Sequence, residues 1–408
     1  MKRIFKIIFV IILTLCLTSC LKENKNTKKV DNKNKKETKE LTEDEMIEEK
    51  LNKMSLDEKI GQMFIVANRT PNIDDDLNNI LNTIKPGGFI LFGENITNYN
   101  NTLNYIKTIK SSNKDIPLFI MIDEEGGTIS RLKQLEDKIT QVPNMYNVGS
   151  KNDLELTRKV GNVLGRQLSV FGINTDTAPD IDTVTNPNNN VIGKRAFSSN
   201  YDIVANNGVA LAQGLKDYNI TPIYKHFPGH GSTSTDSHTG LPIITKTKEE
   251  LLNEDLLPFK KAIENNAQMI MIGHLAVPSI TNDNTPATMS KELVTDLLKN
   301  ELGFNGLVIT DAINMGALTK NYELEEIYEK IINAGNDLLL YPNDPIEEFN
   351  IVKKLVKNNI ISEERVDESV RKILKYKEEN IKDNYNKYLD KSNLNSQENI
   401  DIINSITN

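Results

Sequence analysis

Residues 220–242, ITPIYKHFPGHGSTSTDSHTGLP, hold three of the chain's four histidines. The stretch begins with an apolar run, 220–224, that predicts a buried strand, and it continues into Lys225 and His226. A loop with several glycines follows, and the tripeptide DSH lies inside it. An apolar strand that ends in polar groups and leads into such a loop is how α/β enzymes build their sites. The stretch therefore favours an α/β enzyme over a surface loop that merely follows a buried strand.

Apolar runs of strand length recur on both sides of this stretch, and helical patterns separate them. The predicted strands are 62–67, 87–92, 117–122, 173–182, 220–224, 268–272, 306–309 and 337–341. Strands that alternate with helices in this way are typical of parallel βα units. Eight such units in a chain of this length favour a closed (β/α)8 barrel of the TIM type rather than an open doubly wound sheet. We expect this α/β barrel to be a single catalytic domain over residues 43–380.

Ionisable side chains lie at the carboxyl ends of several predicted strands. Asp123, Lys225, His226, His274 and Asp311 each lie at or just after such an end. In a barrel those ends converge on one face, and that face carries the active site. A charged residue can simply end one strand, but the same placement on four strands indicates a shared site.

The start of the chain has the pattern of an export signal. Basic residues lie within positions 2–6, residues 7–17 are apolar, and Leu-Thr-Ser-Cys occupies 17–20. Small residues before a cysteine resemble the bacterial lipoprotein box, in which that cysteine is lipidated and becomes the mature N-terminus. We therefore expect residues 1–20 to be a lipoprotein signal peptide and Cys20 to carry the lipid. A transmembrane anchor is the alternative, but the apolar run is short for a membrane span.

Composition and charge describe the other segments. Residues 21–42 are rich in Lys and Asn, which predicts a disordered tether. The chain has a formal net charge of −8 although its first 40 residues are basic, so its body is acidic. An acidic body argues against nucleic acid as a partner, because phosphate binding needs a basic face. We expect a monomer, anchored outside the cytoplasm to the cell membrane only by its lipid, and a frayed polar tail over residues 381–408.

Four motifs resemble those of one enzyme family, glycoside hydrolase family 3. They are KHFPGHG with the following TDSH (225–238), IDEEGGTISR (122–131), IGKRAF (192–197) and VITDAINMGAL (308–318). The resemblance is strongest to the family's single-barrel β-N-acetylglucosaminidases, which act on peptidoglycan fragments, and it runs from about residue 55 to residue 377. It implies a retaining exo-enzyme that removes terminal non-reducing N-acetylglucosamine from muropeptides or related fragments.

The resemblance also implies roles for individual residues. Asp311 would be the nucleophile, and His238, paired with Asp236, would be the general acid/base. The residues that would hold the sugar are Asp123, Arg131, Arg195, Lys225 and His226. A β-glucosidase or a β-N-acetylglucosaminide phosphorylase on the same barrel is an alternative, and a solute-binding lipoprotein without catalysis is a more distant one.

The residue types fit this chemistry in their own terms. A retaining glycosidase needs one group that attacks the anomeric carbon and another that protonates the leaving oxygen and later deprotonates water. Histidine can do the second task, because its ordinary pKa of about 6.5 lets it give and take a proton near neutrality. Asp236 can orient the His238 ring, as in other hydrolases. Glu124 or Glu125 is the carboxylic acid alternative.

The other histidines raise the question of a metal. His226 and His230 have the spacing of helical zinc ligands, but Pro228 and Gly229 lie between them and forbid a helix. We therefore expect neither a catalytic metal nor another cofactor. His230 is open to a structural role in its loop, and His274 borders the same face without an assigned role.

Overall fold

Each predicted apolar run forms a short strand in the computed structural model, which describes residues 41–113, 115–238 and 240–407. The strands are β1 (Phe64–Val66), β2 (Gly88–Leu91), β3 (Phe119–Ile122), β4 (Glu124–Gly126), β5 (Ile129–Ser130), β6 (Thr175–Asp176), β7 (Thr221–Pro222), β8 (Tyr224–Phe227), β9 (Met269–Ile272), β10 (Leu307–Thr310) and β11 (Leu339–Leu340). The predicted signal peptide, Cys20 and nearly all of the predicted tether lie outside the described residues.

Helices follow or precede almost every strand. They are α1 (Glu43–Lys53), α2 (Leu56–Met63), α3 (Asp75–Ile84), α4 (Tyr99–Ser111), α5 (Met145–Lys151), α6 (Leu154–Phe171), α7 (Tyr201–Lys216), α8 (Lys248–Asn253), α9 (Leu257–Glu264), α10 (Pro278–Thr281), α11 (Gly316–Thr319), α12 (Leu324–Ala334), α13 (Pro345–Lys357), α14 (Glu363–Asn380) and α15 (Gln397–Thr407). A π-helical segment spans Glu292–Glu301. In the part of the chain that the structure describes, no helix is both long and apolar enough to cross a membrane.

The strands form two parallel sheets and one antiparallel hairpin. The larger sheet has the order β11-β1-β2-β3-β6-β7, and the smaller one has the order β10-β9-β8. In the larger sheet β1 pairs with β2 on one side and with β11 on the other, where Phe64 lies opposite Leu339. Strands β4 and β5 form the hairpin. The strands of the parallel sheets are buried on both faces. This is the usual arrangement for parallel sheets, whose faces are covered by helices.

The α/β fold with parallel βα units is confirmed, whereas a single continuous ladder of eight strands is not seen in the described residues. The two parallel sheets are joined by isolated bridges, between Ile309 and Leu338 and between Asp180 and Lys225. One interruption falls between β7 and β8, directly after Pro222, which has no N–H to donate to a ladder. The other falls at β11, where only two residues are paired.

Several strand boundaries differ from the prediction. The largest difference is at the strand predicted over 173–182, of which only Thr175–Asp176 form β6. The strand predicted at 62–67 begins at Phe64, because α2 continues through Met63. The strand predicted to end at residue 224 continues as β8 to Phe227, so Lys225 and His226 lie inside a strand rather than after it. Both side chains are buried at the carboxyl end of the sheet and belong to the strand framework.

Helix α14 closes the opposite, amino ends of the strands. Its apolar stripe includes Val366, Val370 and Ile373, which are buried as the periodicity predicts. The Lys377 side-chain nitrogen is buried and donates to Gln62 Oε1 at 2.8 Å and to the Gly87 carbonyl oxygen at 2.7 Å. Helix α14 thereby joins the last βα units to the first.

The expectation of a frayed tail over 381–408 is wrong. Residues Gln397–Thr407 form α15, and Leu394, Ile403 and Ile406 are buried. Gln167 Nε2 donates to the Leu394 carbonyl oxygen at 3.1 Å, which ties the segment to α6. The segment belongs to the compact unit Glu43–Asn408, so this unit does not end at residue 380. Ile402 is partly buried and packs against the same core.

Candidate active site

Side chains from the carboxyl ends of the strands line one cavity of about 290 Å³. The cavity is lined by seven of the residues predicted at the site, namely Asp123, Arg131, Arg195, Lys225, His226, His238 and Asp311. The eighth predicted residue, Asp236, contacts His238. Two other cavities, of about 170 and 390 Å³, open at the amino ends of strands and contain none of the eight. The residues singled out in the sequence therefore meet at one place.

Asp311 directly follows β10 and is held there by its backbone. Its N–H donates to the Ile272 carbonyl oxygen at 2.8 Å, and its Oδ1 accepts the Ala312 N–H at 2.8 Å. Burial alone would raise the pKa of Asp311, but His226, His274, the Ala312 N–H and Lys225 together lower it below its ordinary value. Asp311 is therefore ionised at neutral pH and has the charge state of a nucleophile.

The segment EEGG folds into the β4–β5 hairpin, which returns the chain from Asp123 to Arg131. Gly126 and Gly127 have φ angles of +88° and +59°, a region that glycine occupies without strain. As a result, Arg131 Nη2 lies 2.8 Å from Asp123 Oδ2. Glu124 accepts the Arg131 backbone N–H at 2.8 Å and so supports the turn.

Carboxylates and cations alternate along one side of the cavity. Lys225 Nζ lies 3.2 Å from Asp123 Oδ1 and 2.6 Å from Glu125 Oε1. Arg195 binds Glu125 in bidentate fashion, through Nε and Nη2 at 2.8 Å each. Burial alone would raise the pKa of Asp123 and of Glu125, but the adjoining cations lower both, that of Glu125 to about 2. These ionised acceptors and cationic donors can bind several sugar hydroxyls at once.

Asp182 is completely buried and holds two histidines. His226 Nδ1 lies 2.7 Å from Asp182 Oδ2, and the His230 backbone N–H donates to Asp182 Oδ1 at 2.6 Å. Burial lowers the pKa of His226 to about 4, so its ring is neutral near pH 7. With its Nδ1–H donated to Asp182, His226 keeps Nε2 as an acceptor for a ligand hydroxyl.

Among the described residues, Asp180, Asp182 and His226 form a group whose side chains could bind a metal ion, because their ligand atoms lie within 4.8 Å of one another. However, Arg195 Nη2 lies 3.2 Å from Asp180 Oδ2 and supplies a positive charge there already. Burial and the neighbouring Asp182 raise the pKa of Asp180 to about 7, which reduces the negative charge further. The donor set therefore fits a carboxylate pair neutralised by arginine better than it fits a cation site.

The DSH motif forms the predicted pair. His238 Nδ1 lies 2.8 Å from Asp236 Oδ1, which also accepts the His238 backbone N–H at 2.9 Å. The His238 side chain is 66% exposed and that of Asp236 is 43% exposed. Burial would raise the pKa of Asp236, but the hydrogen bonds to His238 lower it. The ionised Asp236 fixes the Nδ1–H tautomer of His238, and Nε2 is then the atom that can exchange a proton with a ligand.

His230 and His274 have supporting positions. Thr233 Oγ1 donates to the His230 carbonyl oxygen, so His230 Nδ1–H donates to Thr233 Oγ1 at 2.8 Å. His230 Nε2 then accepts from the Ser237 hydroxyl at 3.3 Å. His274 is buried, and its Nε2–H donates to the Ala312 carbonyl oxygen at 2.9 Å, next to Asp311. Each histidine thus holds the backbone or the loop that carries a candidate catalytic residue.

Two residues of the site were not assigned from the sequence. Glu125 was considered only as an alternative acid, but it is the ion-pair partner of Arg195 and Lys225. Asp182, which holds His226 and His230, lies near the end of the weak polar strand predicted at 173–182. An acid at the carboxyl end of that strand was a signal of the same kind as Asp123 on its own strand.

Comparisons with known proteins identify the family to which this chain is similar. The family described as "Glycosyl hydrolase family 3 N terminal domain" matches residues 55–376. A protein named beta-hexosaminidase A from Pseudoalteromonas piscicida is 34% identical over 65% of this chain, which spans 47% of that relative. Beta-hexosaminidase LpqI of Mycobacterium tuberculosis is 31% identical over 70% of this chain and 72% of the relative.

A solved structure has the same fold. The glycoside hydrolase family 3 beta-N-acetylglucosaminidase from Paenibacillus sp. str. FPU-7 superposes with a TM-score of 0.82 and 31% identity, covering 87% of this chain and 68% of that one. The family match covers most of the described unit and includes every residue that lines the cavity. The chain therefore belongs to glycosyl hydrolase family 3 and is a glycoside hydrolase.

Proposed function

We propose that this protein is a retaining exo-β-N-acetylglucosaminidase that removes terminal non-reducing N-acetylglucosamine from muropeptides or related β-linked fragments. The observation that carries the proposal is that one cavity contains both Asp311 and His238, together with the alternating ions around Asp123 and Lys225. The beta-hexosaminidase names of the relatives support the same sugar. This chain spans only about half of the first of these relatives, so the activity of the whole protein is part of the proposal.

The first step forms a covalent intermediate. An Asp311 carboxylate oxygen attacks the anomeric carbon while the bond from that carbon to the leaving oxygen breaks, and His238 Nε2–H gives its proton to the leaving oxygen. The electrons of the broken bond go to the leaving group, which departs as an alcohol. Asp236 keeps its negative charge and stabilises the imidazolium form of His238 before the proton is given up.

The second step reverses these roles. His238, now neutral, takes a proton from water, and the water oxygen attacks the anomeric carbon of the glycosyl ester. The bond to the Asp311 oxygen breaks, and the carboxylate is restored. Two inversions give net retention of configuration. The low pKa of Asp311 serves both steps, because the carboxylate attacks in the first and leaves in the second.

Sugar binding is assigned to Asp123, Arg131, Arg195, Lys225 and His226. Charged hydrogen bonds to hydroxyls are stronger than neutral ones, and this set offers both donors and acceptors. The Asp123–Arg131 pair and the Glu125–Arg195 pair hold their own side chains in place before a ligand arrives. Such preorganisation lowers the entropy lost when a sugar is bound.

The cellular setting and the complete fold are also proposals. Cys20 is the candidate lipidation site, which would anchor a monomeric enzyme to the cell membrane on its extracytoplasmic side. The N-acetylglucosamine-containing glycan is the proposed partner. The bridges Ile309–Leu338 and Asp180–Lys225 support the idea that the two parallel sheets are parts of one (β/α)8 barrel.

Initial-rate assays on a panel of substrates test the proposed function. Nitrophenyl β-N-acetylglucosaminide and β-glucoside are compared with and without inorganic phosphate, and a muropeptide serves as the natural-type substrate. We expect hydrolysis of the N-acetylglucosaminide, no acceleration by phosphate, and release of N-acetylglucosamine with retained configuration. Preference for glucoside, or formation of a sugar 1-phosphate, contradicts the proposal in favour of the related enzyme types.

A further inference from the structure

The loop that carries the candidate acid/base has one buried point of attachment. The His238 side chain is largely exposed and that of Asp236 is about half-buried, but Ser237 between them is only 3% exposed. The Ser237 hydroxyl lies 3.3 Å from His230 Nε2, and the Ser237 carbonyl oxygen accepts the Ala317 N–H at 3.2 Å. The loop is therefore held from two directions, by its own beginning at His230 and by the start of α11.

The start of α11 follows Asp311 closely along the chain. Helix α11 begins at Gly316, and only four residues separate this glycine from Asp311. A Cβ atom on Gly316 would lie 2.7 Å from the His238 carbonyl oxygen, which is closer than real Cβ atoms approach such an atom. Gly316 does not have a left-handed φ, so the need for glycine here comes from this approach and not from its own backbone conformation.

The contact joins the two candidate catalytic groups through backbone rather than through flexible side chains. Asp311 is held to the strand framework by its own N–H and by its Ala312 neighbour. Residues 316 and 317 then meet the backbone of Ser237 and His238 directly. Because a carbonyl oxygen cannot rotate away as the end of a long side chain can, added volume at position 316 has to move the loop.

We propose that Gly316 is a positioning residue, which lets the acid/base loop dock on α11 and so sets the distance between His238 and Asp311. Ser237 contributes to the same positioning, because its hydroxyl and its carbonyl oxygen bind His230 and Ala317 and so hold the loop in place. The inference rests on the proposed function, because it assigns a purpose to the separation of the two catalytic groups. A misplacement of about 1 Å at a reacting group can cost about 100-fold in rate.

The test compares Gly316→Ala with a matched control, Gly240→Ala. The control adds the same methyl group to the far end of the same loop, where the nearest atom would be Thr235 Cγ2 at 3.5 Å, an ordinary contact. The substrates are two β-N-acetylglucosaminides, one with an acidic phenol and one with an alkyl alcohol as leaving group. The alkyl substrate needs protonation to depart, whereas the phenol needs it much less.

We expect Gly316→Ala to lose about 10- to 100-fold in kcat/KM on the alkyl substrate and less than about threefold on the phenyl one. Gly240→Ala should stay within about threefold of the wild type on both. Ser237→Ala removes only the hydrogen bond to His230. It should show the same selective loss of kcat/KM on the alkyl substrate, but a smaller one. Azide should speed turnover of the phenyl substrate by Gly316→Ala, because azide attacks the glycosyl ester without a general base.

The outcomes separate this inference from the proposed function. Suppose that His238→Ala loses activity mainly on the alkyl substrate, as loss of an acid/base predicts, while Gly316→Ala matches the wild type on both substrates. The positioning role of Gly316 is then wrong, and the proposed function stands. An equal loss on both substrates, or a loss accompanied by a large fall in Tm, also contradicts it, since a displaced acid/base predicts neither. If the wild type hydrolyses no hexosaminide, the proposed function fails and the inference falls with it.

Discussion

At the scale of single residues, Asp311 gives the most direct test of the chemistry. Replacing it with alanine removes the attacking group, and we expect kcat/KM to fall by roughly four orders of magnitude or more. The fold should persist, because the side chain contributes one hydrogen bond, to the Ala312 N–H. A slow-turnover fluorinated N-acetylglucosaminide should label the wild type on the peptide that contains Asp311. Labelling of another carboxylate, such as Glu125, would identify that residue as the nucleophile instead.

Glu124 links the site hairpin to a pH-dependent stability. Burial raises the pKa of this carboxyl group to about 7, although its backbone hydrogen bonds lower it in part. A raised folded-state pKa means that the folded protein binds the proton more tightly than the unfolded chain does. Its contribution to stability is therefore complete below the ordinary pKa and is lost as pH rises through about 7.

We expect Glu124→Gln to remove this pH dependence. Glutamine keeps a carbonyl oxygen that can accept the Arg131 N–H, but it carries no charge to bury. The variant should match the wild type in urea unfolding near pH 4 and exceed it near pH 8, by up to about 3 kcal/mol in the free energy of unfolding. The exposed Glu249→Gln serves as control and should change neither value. A variant less stable at pH 8 than the wild type would show that the carboxylate is ionised and needed.

At the scale of elements, helix α15 makes a quantitative prediction for stability. Ile406 on this helix is 4% exposed, whereas Ile360, between α13 and α14, is 44% exposed. Truncation of a buried isoleucine to alanine costs about 2–5 kcal/mol, because it removes apolar contact and leaves a cavity. We expect Ile406→Ala to lose about 2–4 kcal/mol in the free energy of unfolding and Ile360→Ala to lose less than about 1 kcal/mol. Equal small losses in denaturant titrations would mean that α15 contributes little to the folded unit.

At the scale of the whole molecule, the proposed lipid anchor at Cys20 would place the enzyme at the cell membrane. We expect Cys20→Ala, expressed from the full sequence, to move the protein from the membrane fraction to the soluble fraction. Activity per molecule should be retained, because the cavity is built entirely from residues well beyond the predicted tether. Metabolic labelling with a fatty acid provides the positive control on the wild type. Persistent membrane binding of the variant after signal cleavage would contradict the lipid anchor.

The strands and the shared location of the site residues could be predicted from the sequence, because apolar runs and the ionisable residues at their ends are local patterns. Short apolar runs mark buried parallel strands, and Asp123 and Asp311 follow such runs directly. Long-range pairing leaves no local trace, which is why the bond of Arg195 to Glu125, 70 residues earlier, was not predicted. The folded tail was missed because Ile403 and Ile406 are too few among polar neighbours to outweigh composition. The division into two sheets depends on the detailed course of the chain at Pro222 and was equally invisible.

The pairing of β1 with β11 has a consequence for the synthesis of the chain. Among the residues that the structure describes, these are the first and the last strands, so a chain emerging from the ribosome carries β1 with one open edge until residue 340 has been made. Helix α14, whose Lys377 reaches back to Gln62, arrives later still. For a chain that is exported, as proposed above, this order keeps the sheet incomplete until β11 has been made. The same order makes shortened chains that end before β11 prone to aggregate, since an unpaired strand edge offers its N–H and C=O groups to other chains.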